Sequence, residues 1–148
     1  MENGERRMEA GKCSLSTEDS GGGQTPSLMN NEIHCFEDLA VWQEGMQLAV
    51  QIHEIVAGWR DYGLKDQMQR AAVSVPSNIA EGYERGSNRE FVQFLHYAKG
   101  SAGELRTQVC LATMLGYCSE SASQLLLEKS RKVSAMLYKY IQVRKRDF

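Results

Sequence analysis

From Leu39 onward, apolar residues recur at intervals of three and four, and glycine-bearing breaks divide the recurrence into four blocks. In the first block Trp42, Met46, Ala49, His53 and Val56 form a stripe that Val41, Leu48, Ile52 and Ile55 widen, as in a helix that buries a broad face. Asp38 is its expected N-cap and Gly58 its expected stop. The second block follows Gly63 and sets Leu64, Met68, Ala72, Val75, Ile79 and Tyr83 in the same rhythm. Pro76 interrupts it, because proline lacks an amide donor and crowds the carbonyl four residues back, here that of Ala72. The rhythm passes through the proline without a phase change, which favours one kinked helix over two short ones.

Gly82 and Gly86 break the second block, and Ser87-Asn88-Arg89-Glu90 then reads as a capping box. The stripe of Phe91, Phe94, Ala98, Ala102, Leu105, Val109 and Ala112 runs to about Leu115, with Gly116 as terminator. At 1.5 Å per residue this third helix is a rod of about 42 Å. Gly100 and Gly103 inside it each cost about 1 kcal/mol of helix propensity relative to alanine, so close backbone approach is expected there. In the last block Ser121 and Gln124 resemble a second capping box, and Leu126, Ser130, Val133, Leu137, Tyr140 and Arg144 keep the helical spacing. With no strand pattern and short joins, the expected architecture is all-α: an up-down-up-down antiparallel four-helix bundle.

Composition divides the 148 residues in two. All 12 aromatic residues lie at or after Phe36. Residues 1–35 are polar, contain Gly21-Gly22-Gly23 and cannot bury enough apolar surface to offset backbone ordering, so a disordered N-terminal segment (1–35) preceding the bundle (36–148) is expected. The leader carries net −3 and the bundle net +1, so whole-chain charge argues for no nucleic-acid partner. No apolar run of signal-peptide length opens the chain, which places it by default in the cytoplasm, and Met29 is an alternative start. Cys13, Cys35, Cys110 and Cys118 lack C-x-x-C spacing, and His34 beside Cys35 has no second pair at finger distance, so no metal is expected. His53 and His96 stand alone in helical patterns, with no nucleophile at a predictable offset. Di-iron chemistry on a bundle needs two Glu-x-x-His motifs, and neither is present.

The stretch QMQRAAVSVPSNIAEGYERGSNREFVQFLHYAKGSAGELRTQVCLATMLGYC closely resembles the family named after intervening sequences of bacterial 23S ribosomal RNA. The marks are Gln67, Arg70-Ala71-Ala72, Ser74, Pro76, Asn78-Ile79-Ala80-Glu81-Gly82, Ser101, Glu104 and Leu115-Gly116-Tyr117. Phe36, Leu39, Trp42 and Gln43 match as well, and the resemblance covers about residues 36–143. It implies a four-helix bundle that assembles as a ring of five, without established catalysis. It also implies a likeness to accessory proteins of diversity-generating retroelements, which bind nucleic acid. Two features depart from the family pattern: the polar leader, and the short link WRDYGL where a proline-containing one is usual.

Two polar stripes accompany the apolar ones. Gln67, Arg70, Ser74, Asn78, Glu81 and Arg85 share one side of the second helix, and Glu90, Gln93, Tyr97, Ser101, Glu104 and Gln108 share one side of the third. They fit a solvated flank, a hydrogen-bonded structural or subunit seam, or a ligand pocket. As a seam, Arg70 would lie near Glu104, and Asn78 would donate to the Ala72 carbonyl freed by Pro76. Glu81 and Glu104 are two carboxylates on facing helices, the minimum for acid-base work, but such a pair needs a substrate cleft, which small antiparallel bundles usually fill with side chains. Finally, Lys129, Arg131, Lys132, Lys139, Arg144, Lys145 and Arg146 give residues 121–148 net +5, or +25 in a ring of five, which suits phosphate attraction by counterion release. The simpler role of such residues is to complement a helix C-terminus. The expectation is therefore a non-enzymatic, self-associating bundle without cofactors, contacting RNA or a nucleic-acid-processing protein through its basic last helix. The alternative is an oligomeric protein-binding scaffold with no nucleic-acid role.

Overall fold

A computed structural model describes residues 32–148. The expected disordered leader, with Cys13 and Met29, falls almost wholly outside the described residues. A 3-10 turn, Phe36–Asp38, leads into helices α1 (Ala40–Val56), α2 (Tyr62–Glu84), α3 (Asn88–Met114) and α4 (Glu120–Asp147), and no strand occurs among the described residues. Each helix packs on the next, and α1 closes the bundle against α4. Contacts run in opposite order along α2 and α3 and along α3 and α4. Ser74 meets Ser101 while Arg85 meets Glu90, and Ser123 meets Thr113 while Arg144 meets Asn88. Helices α2 and α3, and α3 and α4, are therefore antiparallel, which is compatible with the expected up-down-up-down bundle.

Local chemistry explains most boundaries, with two corrections. The Ser87 hydroxyl accepts from the Glu90 amide and donates to the Glu90 carboxylate, so the expected cap opens α3. Gly86 and Gly116 have φ of +79° and +78°, the left-handed conformation that lets the chain leave α2 and α3. α4, however, is capped by Ser119, which accepts from the Ala122 amide, two residues before the expected Ser121. Nor does Asp38 cap α1: its carboxylate takes the His34 and Cys35 amides and closes the 3-10 turn, and Leu39 occupies the N-cap position. These donors hold the Asp38 carboxyl below its usual range. A side chain used by the preceding turn is not available to the helix.

The core is one cluster. Leu48, Ile52, Met68, Ile79, Leu95, Leu105, Leu126, Leu137 and Ile141 are its largest fully buried members. Above it, Phe36, Trp42, Tyr83, Phe91 and Tyr140 form a chain of edge-to-face contacts with centroids 5.5 to 6.5 Å apart. α2 is continuous through Pro76, which is buried where α1 crosses at Gly45. A Cβ on Gly45 would lie 3.4 Å from Val75 Cγ1 and 3.6 Å from Pro76.

The expected close approach at Gly100 and Gly103 does not occur. A Cβ on Gly100 would meet nothing within 4 Å, and one on Gly103 only Arg106 Nη2 at 3.7 Å. The close approach is at Gly82, read from sequence as a helix breaker but buried inside α2, where a Cβ would lie 2.5 Å from Phe94 Cβ. Urea denaturation should therefore separate two alanine substitutions. Gly100→Ala should stabilise by about 0.5–1 kcal/mol, and Gly82→Ala should destabilise by about 1–3 kcal/mol despite its better propensity.

Candidate functional site

The two polar stripes do face each other, and their middle is bonded. Ser74 Oγ and Ser101 Oγ are 2.9 Å apart across α2 and α3, and Ser101 Oγ also lies 3.1 Å from the Tyr97 carbonyl it donates to. Asn78 Nδ2 donates to the Ser74 carbonyl at 2.7 Å and to Ser74 Oγ at 2.9 Å, not to the Ala72 carbonyl. The reason is local: the carbonyl four residues before Asn78 is that of Ser74, which is within reach on the same face. The ends of the stripes are not joined as expected. Arg70 Nε donates to Asp66 Oδ2 at 2.8 Å within its own helix, while Glu104 accepts from Gln108 Nε2 at 3.3 Å. Arg70 is mostly exposed, and a one-turn reach along α2 orders less chain than bridging to Glu104. At the other end Arg85 donates to Glu81 at 2.9 Å, lies 3.6 Å from Glu90 on α3 and covers the Phe94 ring. Gln67, Arg70, Glu81 and Glu104 are all exposed. The half-buried trio Ser74, Asn78 and Ser101 is a helix-to-helix clasp, while Glu81 and Glu104 each bond a side chain four residues on, Arg85 and Gln108.

The basic residues of α4 divide by role. Arg144 is a clamp: its Nε donates to Asn88 Oδ1 at 2.7 Å, Asn88 Nδ2 returns a bond to the Arg144 carbonyl at 3.1 Å, and the guanidinium lies over Phe91 and Phe148. Lys132 reaches Glu44 of α1 at 2.7 Å, and Arg146 pairs with its neighbour Asp147. Lys129, Arg131, Lys139 and Lys145 form no ion pair among the described residues. The expected seven-cation patch is thus a smaller group of uncompensated charges.

One concavity among the described residues was not expected from the sequence. A groove of about 760 Å³ runs between α1 and α2, floored by Ala49 and Pro76 and walled by Trp42, Met46, Val50 and Val73. Met46, Val50 and Val73 are 39%, 52% and 46% exposed. The first-helix stripe and the residues that widen it were expected to face the core, and Val41, Leu48, Ala49, Ile52 and Val56 of them are buried together with Gly45. Trp42 and Ile55 are half-buried, and Met46 and His53 open onto the groove, so the helix carries two apolar faces. The extra apolar residues that broadened the sequence stripe were the available signal. His53 Nδ1 lies 2.9 Å from the Ala49 carbonyl, which can only accept, so the proton sits on Nδ1.

No group of three or more His, Cys, Asp or Glu could hold a metal among the described residues. Cys35 lies against Glu37 and Asp38, and desolvation together with these acceptors pushes its thiol up to about 12, the opposite of what a thiolate ligand needs. No helix among the described residues is long and apolar enough to cross a membrane.

The family model for 23S rRNA-intervening sequence protein matches residues 37–139. The chain belongs to that family. A crystal structure of a protein of unknown function from the S23 ribosomal protein family, from Bacteroides thetaiotaomicron VPI-5482, superposes with a TM-score of 0.66 at 21% identity. It covers 69% of this chain and 98% of that one, so the two share a fold. No curated protein matches the sequence. The family-typical residues Ser74, Asn78 and Ser101 are those of the clasp, and Pro76 is the floor of the groove.

Two substitutions separate structural from solvated positions. Arg144→Ala should lower stability by about 1–3 kcal/mol, because it removes a charged hydrogen bond and the cover over Phe91. Arg70→Ala should change it by less than about 0.5 kcal/mol. Thermal melts of the two variants check this ordering.

Proposed function

We propose that this family member is a non-enzymatic scaffold that associates with copies of itself through the α1–α2 groove and contacts RNA through basic α4. The groove carries the reading. It is apolar and open along its length, and only His53, Glu54 and Ser77 of its lining have polar side chains. A catalytic pocket needs convergent polar groups, and the three here are scattered along a surface that is otherwise hydrocarbon. A contiguous exposed apolar surface of this kind on a small bundle marks an interaction site. A groove that binds a different patch on the next copy makes a heterologous contact, the type that closes into rings, in keeping with the ring of five that the family resemblance implies. Ring formation would multiply the net +5 of residues 121–148 and strengthen phosphate attraction. The absence of a membrane-spanning helix among the described residues fits a role in the cytoplasm.

A second reading, a protein-binding scaffold without RNA, is favoured by one observation: Lys132 and Arg146 already have carboxylate partners.

The double variant Val50→Asp, Val73→Glu places charge on exposed groove walls without touching the core. Sedimentation velocity should show the wild type as an oligomer and the variant as a monomer, with unchanged helical circular dichroism. An unchanged sedimentation coefficient would exclude the groove as the self-contact. Mobility shifts of structured RNA at low and moderate salt test the nucleic-acid part, and the absence of any shift at low salt would leave the protein-binding scaffold.

A further inference from the structure

The cations without carboxylate partners are not confined to α4. On α3, Val92, His96, Lys99, Gly103, Arg106 and Cys110 repeat at spacings of four and three along the flank that faces α4, as the bond from Arg106 Nη1 to Ser134 Oγ at 2.6 Å fixes. On α4, Arg131, Tyr138 and Lys145 fall seven residues apart on the same side as Ser134, a repeat of about 10.5 Å along the axis. The two rows therefore share one outer face above the α3–α4 seam.

Between Arg131 and Lys145 this face holds cations and no acid; the nearest acids before it on α4 are Glu128, one turn ahead of Arg131, and Glu120 at the start of the helix. The acids of α3 lie on its other flank, Glu90 beside Arg85 of α2 and Glu104 in the row of Ser101 and Gln108. Lys99, Arg106, Arg131 and Lys145 form no ion pair among the described residues; Arg70, Arg85, Lys132 and Arg146 do, and Arg60, Lys65, Arg89, Lys129, Lys139 and Arg144 likewise form none but do not line up in one row with an exposed aromatic ring. Like charges left uncompensated in a row repel each other, and a polyanion laid along them removes that repulsion. In the middle stands Tyr138, 55% exposed and outside the core cluster. A surface that mixes cations with a presented aromatic ring suits a strand whose phosphates and bases are both accessible. A duplex hides its base faces and would leave the ring unused.

We propose, extending the reading that α4 contacts RNA, that the α3–α4 face binds single-stranded RNA. Lys99, Arg106, Arg131 and Lys145 attract its phosphates, and a base stacks on Tyr138. Lys99, Arg106 and Tyr138 then join a site that the charge run of the last helix alone does not reveal.

Fluorescence anisotropy of a labelled 12-nucleotide oligouridine, and of an RNA duplex of equal length, tests this on the full chain, with circular dichroism as the folding control. The single strand should bind more tightly than the duplex. Tyr138→Ala should weaken its binding by about tenfold, with Tyr138→Phe retaining it. Lys99→Glu should weaken binding as much as Arg131→Glu does, and Lys132→Glu, on the α1 side, less. If Arg131→Glu weakens binding but Tyr138→Ala does not and the duplex binds equally, the stacked strand is wrong while the basic-helix reading stands. If the wild type binds neither RNA at low salt, that broader reading fails as well. Competition by polyglutamate equal to that by oligouridine would assign the face to an acidic protein and overturn the proposal.

Discussion

The distance between α2 and α3 is the constraint from which the rest of the bundle follows. Gly82 admits Phe94 at a separation no Cβ would allow, and Ser74 and Ser101 hydrogen-bond directly across the same interface. Ala71, Ala72, Ala98 and Ala102 are buried with them, so small side chains line the contact from end to end. Interiors are packed as densely as organic crystals, and a helix pair held this close by small residues leaves little freedom in register. That register sets Arg85 beside Glu90 at one end and positions α3 to receive α4.

Helix α1 has a different problem. It carries more apolar surface than one contact can cover, and Gly45 lets it sit directly over Val75 and Pro76. Its inner face is satisfied by the core while Trp42, Met46 and Val50 are left along an open groove. The buried proline contributes by shape: it is a ring without an amide donor at the floor of a surface that consists mostly of hydrocarbon. The same helix supplies Glu44, which pairs with Lys132 of α4.

Charge is distributed by the same geometry. Arg144 is fixed to the bundle by Asn88, Phe91 and Phe148, and Lys132 by Glu44. Lys129, Arg131, Lys139 and Lys145 form no ion pair among the described residues. A helix with net positive charge thus combines cations that hold the bundle together with cations left uncompensated.

The four helices, their order and the family were legible in the sequence because hydrophobic period, serine caps and turn glycines act over one to seven residues, the range that a linear reading covers. Ser74, Asn78 and Ser101 were recognisable for the same reason, through family-typical residues on matching stripes. What the sequence did not decide were choices among near-equivalent partners. Arg70 could reach Asp66 or Glu104, Asn78 could reach the carbonyl of Ser74 or of Ala72, and the glycine of close approach could be Gly82, Gly100 or Gly103. The apolar positions of α1 could face the core or a groove. Only the packed structure settles these, because each depends on where another helix lies: periodicity defines the angle of a side chain about its own axis, and tertiary contact defines what stands at that angle.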